Sequence, residues 1–190
     1  MSEMFHSLWQ NGIIQLGIWE TVYMTLLSTI VSYVIGLPLG IMLSVTDKDG
    51  ICPVLWLNRI VGFIVNIFRS IPFIILMVAL LPVAKLVVGT SFGNKAMVVV
   101  LIIAAAPYVA RMVESSIKEV DKGIIEAAQA MGTSTGKIIT KVLIPEAKPS
   151  LIIGGVISMV TILSYSAMAA TIGGGGLGQI AITYGYQRYN

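Results

Sequence analysis

Charge is scarce in this chain: 11% of its 190 residues are Asp, Glu, Lys or Arg, against 56% that are hydrophobic. So few polar groups cannot coat a water-facing globule, and a soluble globular fold is excluded. The sequence holds one cysteine, Cys52, and one histidine, His6. Neither has partners at disulfide or metal-ligand spacing, so a disulfide framework and a metal centre both drop out. No Lys or Arg precedes Lys48. The chain therefore lacks the basic front of a cleaved signal peptide, and its first span is expected to be retained. The net charge of +3 does not point to nucleic acid, because no base-stacking aromatics interleave with the basic residues, which flank apolar runs instead. A nucleotide site is missing too. Gly132-Thr133-Ser134-Thr135-Gly136-Lys137 echoes a phosphate-binding loop, but it is one residue short between its glycines and has Ile138 where a hydroxyl must hold magnesium.

What is abundant is apolar helix. With mean hydropathy of +0.91, the fold class is an all-α integral membrane protein, a single transmembrane domain over residues 1–190. Four stretches are long enough for the roughly 20 residues that cross a hydrocarbon core: residues 21–46, 60–84, 96–113 and 150–172. In the first, Gly36, Pro38 and Gly40 either bend the helix or admit a close neighbour. The third is short, with Arg111 snorkelling toward the headgroups. Trp9, Trp19, Tyr184, Tyr186 and Tyr189 stand as interface anchors. Connections on one side carry Lys48, Arg59, Arg111, Lys118, Lys122, Lys137, Lys141 and Lys148, and those on the other carry Lys85, Lys95 and Arg188. Eight against three puts the first set in the cytoplasm and the N-terminus outside.

The longest polar segment, residues 114–149, lies on that cytoplasmic side. Ile124, Ala127, Ala128 and Met131 fall at i, i+3, i+4 and i+7, one apolar stripe on a short helix, with Glu126 on another face. Gly132 is suited to the left-handed turn that ends such a helix. A second helical piece is expected to be capped by Thr133 or Ser134 and closed by Pro145 and Pro149. Periodicity alone leaves two uses open: a plug entering a partner's groove, or a helix lying on the bilayer.

Glu126-Ala127-Ala128, Gly132 and Val142-Leu143-Ile144-Pro145 resemble the "EAA" cytoplasmic loop of ABC importer permeases. Asn66 to Ile75, Ala106 to Glu114 and Ser164 to Met168 are similar to the methionine-import permeases of bacteria, and the resemblance runs from about Trp19 to Asn190. It implies a permease helical bundle in the bacterial inner membrane, working as a homodimer with two copies of a cytoplasmic ATP-binding subunit. An extracytoplasmic substrate-binding protein would deliver methionine or a related amino acid. The chain itself would be no enzyme and carry no cofactor. Glu126, Ala127, Ala128, Met131 and Gly132 become the ATPase-docking residues. Such permeases have five spans, so four of the expected five are present, with the fifth starting beyond Asn190.

Three residues are candidates for the translocation path. Arg69 at a helix centre would cost about 2.5–3.5 kcal/mol, so it either faces a wet pathway or sits off-centre and bonds carbonyls near Pro72. Ser166 and Met168 stand among small residues, where a long apolar side chain from each subunit of a dimer closes a pore or simply packs against lipid. A self-contained channel or ion-driven carrier using Arg69 is the alternative from another class. It lacks the inverted repeats and paired intramembrane carboxylates expected of carriers, since Glu20 and Glu114 fall at span ends.

Overall fold

A computed structural model describes residues 2–187, with side chains from residue 6 onward; Glu3's side chain, Arg188 and Tyr189 lie outside what is described. Among the described residues every regular element is helical: α1 Ser2–Gln10, α2 Ile13–Val45, α3 Leu55–Ser70, α4 Phe73–Val88, α5 Gly93–Lys118, α6 Lys122–Ala130, α7 Thr135–Ile138, α8 Ile144–Ser166 and α9 Leu177–Ile180. A π-helical turn, Ile139–Leu143, joins α7 to α8, and a 3-10 run, Ala167–Ile172, extends α8. A second π-helical stretch, Ala181–Gln187, follows α9.

Three helical stretches are long and apolar enough to cross a membrane: Ile13–Val45, Gly93–Lys118 and Thr135–Ile172. The region expected as one span at 60–84 is two helices, α3 and α4, which qualify only when taken together as a broken span or re-entrant loop. Pro72 explains the break. Its ring disfavours α geometry in the preceding residue, and Ile71 takes φ −84°, ψ 128°. Pro145 and Pro149 do not close the second piece of the polar loop. The Ile144 N–H reaches back to the Ile139 carbonyl, a wider turn that carries the helix past Pro145 and on to Ser166. The chain also turns helical again at Leu177, ahead of the point beyond Asn190 where a fifth span is expected.

The chain divides into two compact units. One gathers Met1–Val31, Pro72–Ala105 and Met159–Asn190; the other combines Ser32–Ile71 with Ala106–Ser158. In the second unit, Gly36 and Gly40 set the packing. A Cβ on Gly36 would lie 2.7 Å from Val109 Cβ, and one on Gly40 would strike the Ala110 carbonyl and lie 2.6 Å from Val113 Cβ. Of the two uses left open by the sequence, close approach of α2 and α5 is therefore the one these glycines serve. Around that contact Val109, Val113, Ile117, Ala128, Ile138, Leu143 and Leu151 form a buried core. Tyr33 spans it, its hydroxyl donating to the Leu151 carbonyl at 2.7 Å.

In the first unit Met24, Met77, Ala96, Met97, Leu101 and Ile162 are almost fully buried. Phe73 and Tyr165 stack with ring centroids 4.3 Å apart. In both units many large apolar side chains remain exposed, Trp19 and Leu86 in the first and Val34 and Phe63 in the second. That pattern suits hydrocarbon as the surrounding solvent.

Candidate functional site

The site is built outward from the last turns of α5. Arg111, Glu114 and Lys118 fall at i, i+3 and i+7 and so share one helix face. The Glu114 carboxylate is buried, its side chain only 9% exposed. Arg111 Nη1 donates to its Oε2, and Lys118 Nζ donates to its Oε1 at 2.8 Å. Each cation then reaches another element. Lys118 Nζ bonds Asp47 Oδ2 at 2.6 Å, just beyond the end of α2. Arg111 Nη2 bonds Asn66 Oδ1 of α3 at 3.0 Å and the Gly62 carbonyl at 3.3 Å. Arg111 thus does not snorkel outward; it is held inside a polar network, because the carboxylate offers a better partner than a headgroup. The hydrogen bond from Lys118 holds the Asp47 carboxyl below the usual carboxylate range.

From this anchored end the chain turns into α6. Asp121 caps it, its Oδ1 accepting from the Gly123 N–H at 2.7 Å. At the other end Gly132 has φ +70°, the left-handed conformation that glycine reaches without strain. Ser134 stands at the N-cap of α7, with no capping bond from its side chain. The expected stripe on α6 splits in two. Ala128, 4% exposed, packs with Ile117, Val120, Ile138 and Leu143, and Ile125 joins them. Ile124, Ala127 and Met131 are exposed, Met131 at 77%. At about 100° per residue, Ile124, Ala127 and Met131 lie within about 60° of one another, and Ala128 borders them on the edge nearest Ile125, the edge that meets the core. One edge of the stripe is packed on the chain's own core, and the rest presents an unpartnered apolar ridge.

Glu126 belongs to neither part. It is exposed and lines, with Asp47, Asp49, Lys118, Lys122 and Gln129, a pocket of about 330 Å³ between α6 and the α2–α3 connection.

Of the pathway candidates, Arg69 is exposed in the last turn of α3, where the helix dipole favours a cation. It forms no ion pair among the described residues. Ser166 is buried, with its hydroxyl donating to the Leu163 carbonyl at 2.7 Å, and Met168 is 37% exposed within the 3-10 run. Ser166 and Met168 belong to the first compact unit and Arg69 to the second.

Sequence reasoning missed two sets of residues. The pairing of Asp47 with Lys118 joins positions 71 apart and has no local signal, although the charges of α5 were legible from their spacing. Glu20, expected at a span end, lies inside α2 and accepts a hydrogen bond from the Gly176 N–H at 2.7 Å.

Residues 36–190 match the protein family described as "Binding-protein-dependent transport system inner membrane component". Over 172 residues the chain is 51% identical to the probable D-methionine transport system permease protein MetI of Vibrio cholerae, covering 90% of this chain and 76% of that protein. It is 49% identical over 152 residues to the D-methionine transport system permease protein MetI of Escherichia coli, covering 80% and 70%. Among solved structures, an inward-facing conformation of the MetNI methionine ABC transporter superposes with a TM-score of 0.92 at 48% identity, covering 95% of this chain and 84% of that one. The self-contained channel built on Arg69 finds no counterpart among these relatives.

Proposed function

This chain belongs to the family of binding-protein-dependent transport system inner membrane components, and from that premise we propose that it is the permease subunit of an ATP-driven importer of methionine or a related amino acid. Two copies form the path through the bacterial inner membrane. Two copies of a separate ATP-binding subunit hydrolyse ATP, and an extracytoplasmic binding protein delivers the substrate. This chain performs no hydrolysis. Its task is mechanical: to present a surface to the ATPase and convert that subunit's motion into a change in the facing of the pore.

One observation carries the reading, the two-sided burial of α6. The ridge of Ile124, Ala127 and Met131 is free to enter a groove. On the adjoining edge Ala128 is packed with Ile117, Val120, Ile138 and Leu143. A push on the ridge therefore reaches α5 and α8 without slack, since packed cores resist deformation. Gly132 ends the ridge, and Glu126 stands beside it at the pocket mouth. Lying flat on the bilayer does not require that edge to be fixed in this way.

The segments are read as crossing at α2, at the α3–α4 pair counted as one broken span, at α5 and at residues 135–172. The lysine and arginine count supports a cytoplasmic position for residues 114–149 and an outside N-terminus. Met168, with the buried Ser166 beside it, is read as the narrow point of the path, and Arg69 as a residue of its wall.

The complex reconstituted in proteoliposomes with its ATP-binding subunit and binding protein is expected to accumulate methionine in an ATP-dependent manner. ATP hydrolysis indifferent to methionine and its binding protein, with no uptake, overturns the substrate assignment; failure of the ATP-binding subunit to associate overturns the coupling role.

A further inference from the structure

The glycines at 173–176 connect the 3-10 run to α9, and their backbone is held by side chains from elsewhere in the same unit. The Gly175 N–H donates to Asn94 Oδ1 at 2.6 Å, the Gly176 N–H to Glu20 Oε2 at 2.7 Å, and the Leu177 N–H to Thr21 Oγ1 at 2.9 Å. Three successive amides are thus caught by α2 and α5. Glycine is required for the approach: a Cβ on Gly175 would overlap the Glu20 carboxylate, and one on Gly174 would lie 2.8 Å from the Ala169 carbonyl.

What this strap terminates is unusual. A six-residue 3-10 run, Ala167–Ile172, is longer than such helices commonly are, and its hydrogen bonds are poorer than those of an α-helix. Both of its ends are fixed. Upstream, Tyr165 is stacked on Phe73. Downstream, the Gly174 N–H bonds the Ala169 carbonyl at 2.8 Å, and the strap beyond is tied to Glu20 and Asn94. Thr171 Oγ1 also reaches Met77 Sδ at 3.8 Å. Relaxing six residues from 3-10 to α geometry would shorten the run by about 3 Å and rotate one end by about 120° against the other. Met168 lies inside it.

We propose that Glu20 and Asn94 are positioning residues that latch the 173–177 strap, hold Ala167–Ile172 in its tight winding, and so set where Met168 points. The inference rests on the reading of Met168 as the narrow point of the path. Releasing the latch lets the run rewind and moves the methionine.

The test uses the permease in complex with its ATP-binding subunit in nanodiscs. Hydrogen exchange is followed at residues 173–177, and labelling by a membrane-impermeant maleimide is followed at Met168→Cys in a Cys52→Ser background. Glu20→Ala is expected to raise both exchange at Gly176 and labelling at position 168 by about tenfold to a hundredfold, the weight of one charge-assisted hydrogen bond. Glu20→Gln, which keeps an acceptor oxygen, is expected to stay within about threefold of the parent. Asn94→Ala acts on Gly175 and serves should Glu20→Ala fail to fold. Increased exchange with unchanged labelling, or no increase in exchange, overturns the latch. Retention of the ATP-binding subunit is scored in the same samples, so a failed docking role is told apart from a failed latch.

Discussion

Met131 gives the sharpest test of the docking ridge. It is 77% exposed at the C-cap of α6, and nothing in its own chain accounts for so much apolar surface outside the spans. Full burial of a methionine side chain contributes about 1.5–3 kcal/mol. The exposed 77% therefore makes about 1–2 kcal/mol available to an ATPase groove. Met131→Ala should weaken each docking contact by about five- to thirtyfold, at 1.4 kcal/mol per decade. Met131→Asp should do more, since it buries an unpaired carboxylate. The assay is titration of labelled ATP-binding subunit onto the reconstituted permease, with methionine-stimulated ATP hydrolysis measured beside it. Leu86→Ala is the control: Leu86 is 86% exposed, but it lies on α4, in the other compact unit. Equal binding constants for Met131→Ala, Leu86→Ala and the parent would refute the reasoning.

The charge network predicts a different kind of failure. Arg111→Leu leaves the buried Glu114 with only Lys118 as its cation and should destabilise the protein, by less than the about 3–5 kcal/mol of a wholly unpaired buried charge, read as a lower thermal midpoint in detergent; adding Glu114→Leu should restore much of the loss, and no recovery in the pair would argue against burial as the cause. Gly40→Val forces apart the α2–α5 contact at Ala110 and Val113 and should cost at least about 1–3 kcal/mol by overpacking, with yield of folded protein as the readout and Gly136→Val, where the added Cβ meets nothing within 4 Å, as the comparison. The depressed carboxyl of Asp47 contributes stability that is complete above its unfolded-chain value and is lost as pH falls through its folded value. The midpoint difference between the parent and Asp47→Asn should therefore shrink only under strongly acidic conditions and stay constant from neutral to mildly acid pH.

Much of the architecture was legible because the bilayer makes composition decisive. Apolar runs must be helical where no water is present to satisfy the backbone, so the chain's class and the polar character of residues 114–149 follow from residue order alone. Gly132 was equally readable, since a positive φ is a property of the local backbone. The division of labour within the stripe was not. Ile124, Ala127, Ala128 and Met131 have nearly the same periodic phase, and which of them is buried depends on where Ile117, Val120, Ile138 and Leu143 arrive.

The sequence by itself thus determined the solvent, the helical class, the left-handed turn at Gly132, and through its motifs the family. Tertiary structure alone decided which side of α6 is anchored and which is offered, that Arg111 points inward to Glu114, and that Glu20 holds Gly176 from 156 residues away. The physical reason is one of range. Periodicity and turn chemistry act within a few residues, whereas a buried carboxylate, a glycine contact and a latched amide are each set by partners that only the folded chain brings within about 3 Å.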